Sequence, residues 1–232
     1  WPKYIVDFLA ADAVPAGIKK VAILYSTNDF TGTQANAVRG FIKAANKGID
    51  IVYDQGVPTT TSNYTTILSN IDAANPDAVI ALGFPGNDIA FLRNLQDSGS
   101  KYRMVFNIYP GLETDELLRT VGAAGLDGGF TYVTSVAIDY KPEVGMSVDE
   151  FRNAWHRAYP DTSVAFGWNS IAGYTTGLVL ERTLETTKSL DQMALHDAVF
   201  GLSGKLKTLN GSFELNDEGA QIGELTPIGQ VH

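Results

Sequence analysis

Five short apolar segments, each separated from the next by an amphipathic stretch long enough for a helix, dominate the first 135 residues. They are Lys20–Tyr25, Asp50–Tyr53, Asp77–Leu82, Arg103–Phe106 and Gly129–Val133. Buried parallel strands are typically near-continuous apolar runs, and the crossovers between them need a dozen or more residues. The sequence therefore predicts an α/β fold with a doubly wound parallel sheet, in which ligands bind at the carboxyl ends of the strands.

Helical periodicity occupies much of the remaining sequence. Apolar residues recur at helical spacing over 33–46, and Gly48 is the expected C-terminal cap of that helix. In the second half, a long helix over 167–187 is predicted to turn Thr176 and Leu180 toward its inner side. Near the end, Gly211–Gly219 is typical of a strand closed by a turn. Further helices are predicted over 3–12, 148–159 and 190–200.

Composition excludes several classes of function. At 44% hydrophobic and 19% charged residues, the chain has the make-up of a globular protein, and its longest apolar runs are too short to span a membrane. The net charge of −9 argues against a nucleic-acid partner, because phosphate binding needs a basic face. Cysteine is absent, which excludes disulfides, thiol catalysis and cysteine-ligated metals.

Motifs of catalysis or cofactor binding are also missing. His156 and His196 lie on separate predicted helices, without a metal-ligand spacing or a Gly-x-Ser-x-Gly turn nearby. No Gly-x-Gly-x-x-Gly follows the first strand, so a dinucleotide site is not expected. The sequence predicts no catalytic residue, no metal and no cofactor.

The order of these segments resembles a known family. Lys20–Tyr25, followed by a polar loop and an amphipathic helix, resembles the second lobe of type I periplasmic binding proteins, in the leucine/isoleucine/valine-binding branch that serves ABC importers. Further similar segments follow in the same order: Asn75–Ile80, Phe91–Arg93, Ala123–Gly129, Phe151–Trp155 with Tyr159–Pro160, and Gly211–Gly219. Family members begin with a further stretch of about one small domain. The chain thus resembles a two-lobed binding protein whose first lobe is incomplete.

This resemblance implies a division of the chain and a function. Residues 1–135 would form the second α/β lobe with the helix that precedes it, 136–205 a helical return into the incomplete first lobe, and 206–232 the closing strand and turn at the lobe crossover. The lobes of such receptors close by hinge motion on a small ligand, and the closed form docks on an ABC permease. The implied location is periplasmic or extracellular, with any lipid anchor on an N-terminal segment outside this sequence.

Four residues are candidates for ligand contact. The crevice rule selects three loops, Ser26–Phe30, Gly83–Asn87 and Asn107–Gly111. The resemblance places Phe30 over the ligand's side chain, although it is equally interpreted as a staple of the helix start. Phe84 stands where the family often has Tyr, and it offers only an apolar contact. Trp168 is interpreted either as a ligand shelf or, preferentially, as a core residue.

The fourth candidate, Tyr109, bears on the kind of ligand. In amino-acid-binding relatives an acidic residue near this position pairs with the ligand's ammonium, whereas this chain has Tyr109 and no acid until Glu113. A neutral phenol does not offset the desolvation of an ammonium as a carboxylate does. Among small amino acids, carboxylates and amides, this difference favours the carboxylates and amides, including aromatic ones.

Two other functions remain open at this point. A sensory or regulatory ligand-binding domain of the same fold would carry an attached DNA-binding, kinase or transmembrane segment. An α/β enzyme that uses the same crevice would show turnover and a pH-dependent catalytic group.

Overall fold

Two units divide the chain at Tyr132 and at Pro227. The structure, a computed structural model, describes residues 1–161 and 164–232. The first unit comprises Trp1–Tyr132 and Pro227–His232, and the second comprises Val133–Thr226. No helix within the described residues has the length and apolarity that a membrane crossing requires.

The first unit is built on a six-stranded sheet. Its strands are β1 (Lys20–Ser26), β2 (Asp50–Val57), β3 (Ala78–Leu82), β4 (Met104–Asn107), β5 (Phe130–Tyr132) and β8 (Ile228–Gln230), in the order β2-β1-β3-β4-β5-β8. The first five strands are parallel and β8 is antiparallel to β5. This arrangement confirms the predicted α/β fold with a doubly wound, mainly parallel sheet.

Helices connect these strands. They are α1 (Pro2–Phe8), α2 (Asp29–Ala45), α3 (Thr65–Ala74), α4 (Pro85–Ser98), α5 (Thr114–Val121) and α6 (Ala123–Leu126). All five residues of β3 are buried, whereas the edge strand β2 is largely exposed, which explains why β3 has the more continuous apolar sequence. The strand order reverses between β1 and β3, and this reversal is where ligands bind in doubly wound sheets.

Helix α2 differs from the sequence expectation in its start and in its C-terminal cap. It begins at Asp29, four residues before the predicted start, because the Asn28 side chain accepts hydrogen bonds from the N–H groups of Phe30 and Thr31. It ends at Ala45, and its C-terminal cap is Asn46, in the left-handed conformation (φ 48°), and not Gly48 as expected. Phe30 therefore lies in the first turn of a helix and not in a loop.

The second unit is mainly helical. Its elements are α7 (Val148–Ala158), α8 (Trp168–Thr187), α9 (Gln192–Leu202) and the antiparallel pair β6 (Leu206–Thr208) and β7 (Gly211–Phe213). Its core contains the buried residues Val148, Phe151, Phe166, Ile171 and Leu209, with Tyr174 stacked on Phe151 at 4.6 Å between ring centroids.

One expectation for the second half needs correction. Leu180 and Thr176 are exposed, because Leu180 follows Ile171 by nine residues and so lies about half a helical turn away from the core-facing side of α8. The strand closed by a turn that is predicted over Gly211–Gly219 is present: β7 is followed by a bridge between Leu215 and Gln221, and the Gly219 N–H donates to the Asn216 carbonyl in the turn between them. Strands β6 and β8 were not anticipated, since three-residue strands leave almost no periodic signal.

Candidate ligand-binding site

Three of the four candidate residues form a continuous aromatic surface in the first unit. The rings of Phe30 and Phe84 stack with centroids 6.0 Å apart, and Phe84 lies 6.5 Å from Tyr109. Phe30 is 43% exposed, Phe84 is 36% exposed and Tyr109 is 7% exposed. We refer to these three side chains as the aromatic ladder. It descends from solvent into the protein at the carboxyl ends of β1, β3 and β4.

Phe30 is held by the start of α2. Asn28 caps this helix through its side-chain oxygen, and its amide nitrogen donates to Thr31 Oγ1 at 2.7 Å. Thr31 in turn donates to the carbonyl of Ser26, the last residue of β1. These bonds fix the first turn of α2 on the strand end, and so they orient the Phe30 ring toward Phe84.

Phe84 is placed by the sharp connection from β3 to α4. It is the residue before the helix, and Pro85 occupies the first helical position, where the missing N–H costs nothing. A Cβ at Gly83 would lie 2.8 Å from the Cβ of Asn87 and 3.0 Å from Asp88 Oδ1. Glycine at position 83 therefore allows α4 to pack closely behind the ladder.

Asn87 joins the loops that follow three strands. Its side-chain oxygen accepts from Ser26 Oγ at 2.9 Å and from the N–H of Phe84 at 3.3 Å. Its side-chain nitrogen donates to the carbonyls of Thr59 at 3.0 Å and Thr61 at 3.3 Å. This buried amide therefore links the ends of β1 and β3 to the segment after β2.

The buried carboxyl of Asp88 holds the backbone of Tyr109 in place. Asp88 Oδ2 accepts from the N–H of Tyr109 at 2.9 Å, and Oδ1 accepts from the Asn107 side chain at 3.2 Å. Asp88 is fully buried in the first turn of α4. It therefore ties the helix behind Phe84 to the segment that carries Tyr109.

Burial dominates the acid–base properties here. Desolvation raises the pKa of Asp88 to about 7, against the opposing effect of hydrogen bonds from the Tyr109 backbone and the Asn107 side chain. Desolvation also raises the pKa of Tyr109 to about 12, with smaller contributions from the charges of Asp88 and Glu113. The Tyr109 phenol is thus neutral at physiological pH. Since the other two side chains of the ladder are phenyl rings, the ladder itself carries no charge.

The raised pKa of Asp88 predicts a pH dependence of folding. A carboxyl that binds its proton more tightly in the folded state contributes stability below its unfolded pKa of about 4, and this contribution is lost as pH rises through about 7. Asp88→Asn cannot ionise. We therefore expect the free energy of unfolding of this variant, minus that of the native chain, to increase from pH 5 to pH 8. Urea unfolding at both pH values measures the difference. Asp97→Asn, at an exposed position of α4, should show no such trend.

Trp168 lies in the second unit, at the start of α8. It is half-buried, and its indole N–H donates to Glu224 Oε1 at 2.7 Å. Burial raises the pKa of Glu224, opposed by hydrogen bonds from Trp168 and Asn210. Ser135 Oγ donates to Asn210 at 2.5 Å. Trp168 therefore belongs to a polar network of the second unit, and not to the aromatic ladder.

Asn28 and Asn87 lie in loops that the crevice rule selected but were not singled out as site residues, and Asp88 lies one residue beyond the selected loop. A signal for Asp88 was present, because it precedes Phe91 by three residues and Leu92 by four and so lies on the apolar stripe of α4. An acidic residue on such a stripe indicates a buried polar contact. Within the described part of the chain, no cluster of three or more His, Asp or Glu side chains offers a metal site.

A doubly wound sheet with an aromatic surface at its strand reversal is an architecture typical of proteins that bind small molecules. The chain belongs to the periplasmic binding protein family, whose model matches residues 3–231. The predicted type I periplasmic-binding-protein fold and the family resemblance are thereby confirmed.

Individual relatives are distant. A Leu/Ile/Val-binding protein homolog 7 from Brucella suis is 21% identical over 181 residues, which is 78% of this chain and 44% of the relative. A leucine-binding protein from Thermotoga maritima superimposes with a TM-score of 0.78 at 15% identity, covering 99% of this chain and 61% of that protein. An ABC-transporter solute-binding protein from R. palustris in complex with benzoate gives 0.77 at 14% identity, covering 100% and 59%. The chain thus spans less than half the length of the curated relative.

Proposed function

We propose that this protein is a periplasmic or extracellular solute receptor that captures a small aromatic carboxylate or amide for ABC-type import. The observation that carries the proposal is the aromatic ladder at the strand reversal between β1 and β3. There Phe30 follows β1 and Phe84 follows β3, so their stacked rings span the position where this class of sheet binds ligands. The ladder would form one wall of the ligand site.

Stacked, partly exposed phenyl rings suit an aromatic ligand. Phe30 and Phe84 present apolar faces to solvent, and a planar ring placed on them gains both burial and an offset stacking geometry. Exposed aromatic side chains held rigidly by hydrogen-bonded backbone lose little entropy on binding. A solute-binding neighbour with the same fold contains benzoate, which is consistent with this choice.

The charges near the ladder determine which polar group a ligand can place there. Asp88, the acid bonded to the ladder, is fully buried and its carboxyl already accepts from Tyr109 and Asn107, so it is not available to a ligand ammonium. Glu113 acts on Tyr109 as a further negative charge. Helix α4 begins directly after Phe84, and the positive end of its dipole favours an anionic or carbonyl-bearing group. We therefore place aromatic carboxylates and amides ahead of simple amino acids.

Calorimetric titration of the purified chain with benzoate, benzamide, phenylalanine and leucine tests the proposal. We expect benzoate or benzamide to bind more tightly than either amino acid, and the ligand to be recovered unchanged. Preference for leucine or phenylalanine would contradict the ligand class. Conversion of the ligand would instead indicate an enzyme.

Phe84→Ala should weaken binding without much change in folding. Loss of the central ring removes contacts worth about 1–2 kcal/mol, which corresponds to roughly tenfold in Kd. Phe41→Ala is the matched control, because Phe41 is 37% exposed and lies on α2 eleven residues after Phe30, about 16 Å along the helix. Equal loss of affinity in both variants would show that the ladder is not the site.

A further inference from the structure

Asp88 is a buried carboxyl that is hydrogen-bonded to the aromatic ladder through the Tyr109 N–H. A small cavity adjoins it, and the described residues that line this cavity include no cation. This cavity is about 10 Å³ in volume and is too small for an organic ligand. Its polar lining includes Ser26, Tyr64 and Asn87. The carboxyl is therefore separated from solvent, while its hydrogen bond to the Tyr109 N–H connects it to the ladder.

The titratable groups around this carboxyl are phenols. Tyr25 and Tyr64 line the same cavity from β1 and from the residue before α3, and Tyr109 faces Asp88 from the turn after β4. Burial raises the pKa of Tyr64 and of Tyr109. Glu113 adds a negative charge that acts on Tyr109. Because their pKa values are raised, the phenols of Tyr64 and Tyr109 stay protonated near neutral pH, whereas Asp88 can change its charge.

We propose that Asp88 is a positioning residue of the aromatic ladder, which holds the Tyr109 segment through its carboxyl and takes up a proton when an anionic head group binds to the ladder. This inference rests on the proposed function, because the head group is the carboxylate of that ligand. It extends the proposal by assigning a residue that discriminates between charged and neutral ligands.

Ligand binding is coupled to protonation of Asp88 because two carboxylates, that of Asp88 and that of the ligand, compete for the same helix N-terminus. The first turn of α4 supplies the positive end of a helix dipole, and both Asp88 and a carboxylate beside Phe84 draw on it. Two like charges in a poorly solvated region favour protonation of one of them. Burial raises the pKa of Asp88 to about 7, so Asp88 is the carboxyl that accepts the proton. An amide ligand carries no charge and should leave Asp88 unchanged.

Titration calorimetry of benzoate and benzamide at pH 5.5 and pH 8.5, in two buffers of different ionisation enthalpy, measures this coupling. Benzoate is ionised at both pH values. We expect the native chain to bind benzoate roughly fivefold more weakly at pH 8.5, with proton uptake near pH 7, and to bind benzamide equally at both. Asp88→Asn should remove the pH dependence and the proton uptake. Asp97→Asn, on the exposed side of the same helix, should behave as the native chain.

A second readout uses the ligand-free protein. The amide resonance of Tyr109 should titrate with a midpoint near pH 7 in the native chain and in Asp97→Asn, because its N–H is bonded to the Asp88 carboxyl. It should not titrate in Asp88→Asn. If that variant does not fold, the native titration together with the measured proton uptake decides the question.

The outcomes separate this inference from the proposed function. Benzoate binding to Asp88→Asn with the native pH dependence would overturn the inference, and so would a Tyr109 amide that does not titrate in the native chain. If neither ligand binds any variant while the Tyr109 amide titrates only where Asp88 is present, the positioning role is supported and the proposed function fails.

Discussion

Gly111→Ala should destabilise the first unit by about 3 kcal/mol or more. Gly111 ends the turn that carries Tyr109, and its N–H donates to Thr131 Oγ1 at 2.9 Å. A Cβ at this position would overlap the backbone carbonyl oxygen of Tyr132 and would lie 2.9 Å from Thr131 Cγ2. Because the overlap is with the backbone of β5, relief requires movement of a strand that pairs with both β4 and β8.

Gly86→Ala is the matched control for this steric argument. Gly86 lies in the first turn of α4, and a Cβ there would meet no heavy atom within 4 Å. Alanine is the better helix former, so the variant should be neutral or more stable by up to about 1 kcal/mol. Urea unfolding of both variants measures the contrast. Similar stability of the two would show that Gly111 is not sterically required.

Asn87→Ala should cost about 2–4 kcal/mol of stability and should also weaken ligand binding. The change leaves the Ser26 hydroxyl, the Phe84 N–H and the carbonyls of Thr59 and Thr61 without this partner. The segments at the ends of β1, β2 and β3 lose the side chain that links them. The rings of Phe30 and Phe84 are then no longer fixed relative to each other. We therefore expect Asn87→Ala to weaken ligand binding more than Phe84→Ala, which changes one loop only.

An exposed asparagine provides the comparison. Asn70 lies on the solvent side of α3, and Asn70→Ala should change stability by no more than about 0.5 kcal/mol. Unfolding and benzoate titration on both variants test the expectation. Native-like affinity in a destabilised Asn87→Ala would separate the two effects and would limit Asn87 to folding.

The strands of the first unit could be predicted because buried parallel strands have a local signature. β1 was expected from Lys20 onward and is observed over Lys20–Ser26, and β3 is apolar throughout. The loops at the ladder could be chosen for the same reason, since each directly follows a strand end. Whether Phe30, Phe84, Tyr109 and Trp168 contact ligand stays a prediction.

The links that hold the ladder could not be read from local sequence. Ser26 and Asn87 are 61 residues apart, and Asp88 is bonded to the backbone of Tyr109 21 residues later. Polar residues at such separations have no periodicity that reveals their pairing. Strand β8 was missed for a similar reason, because Thr131 of β5 pairs with Gly229 in a strand of only three residues.

Helix α9 of the second unit buries little of its apolar surface. Each of its residues is described, and none is fully buried; Met193 is 66% exposed, and Leu190 just before the helix is 80% exposed. The free energy needed to open a segment locally rises with the apolar surface that opening would newly hydrate. Because α9 has no fully buried residue, we expect its amides to open with a smaller free energy than those of β3, where every residue is buried. Hydrogen exchange is therefore expected to be faster in α9 than in the buried strand β3.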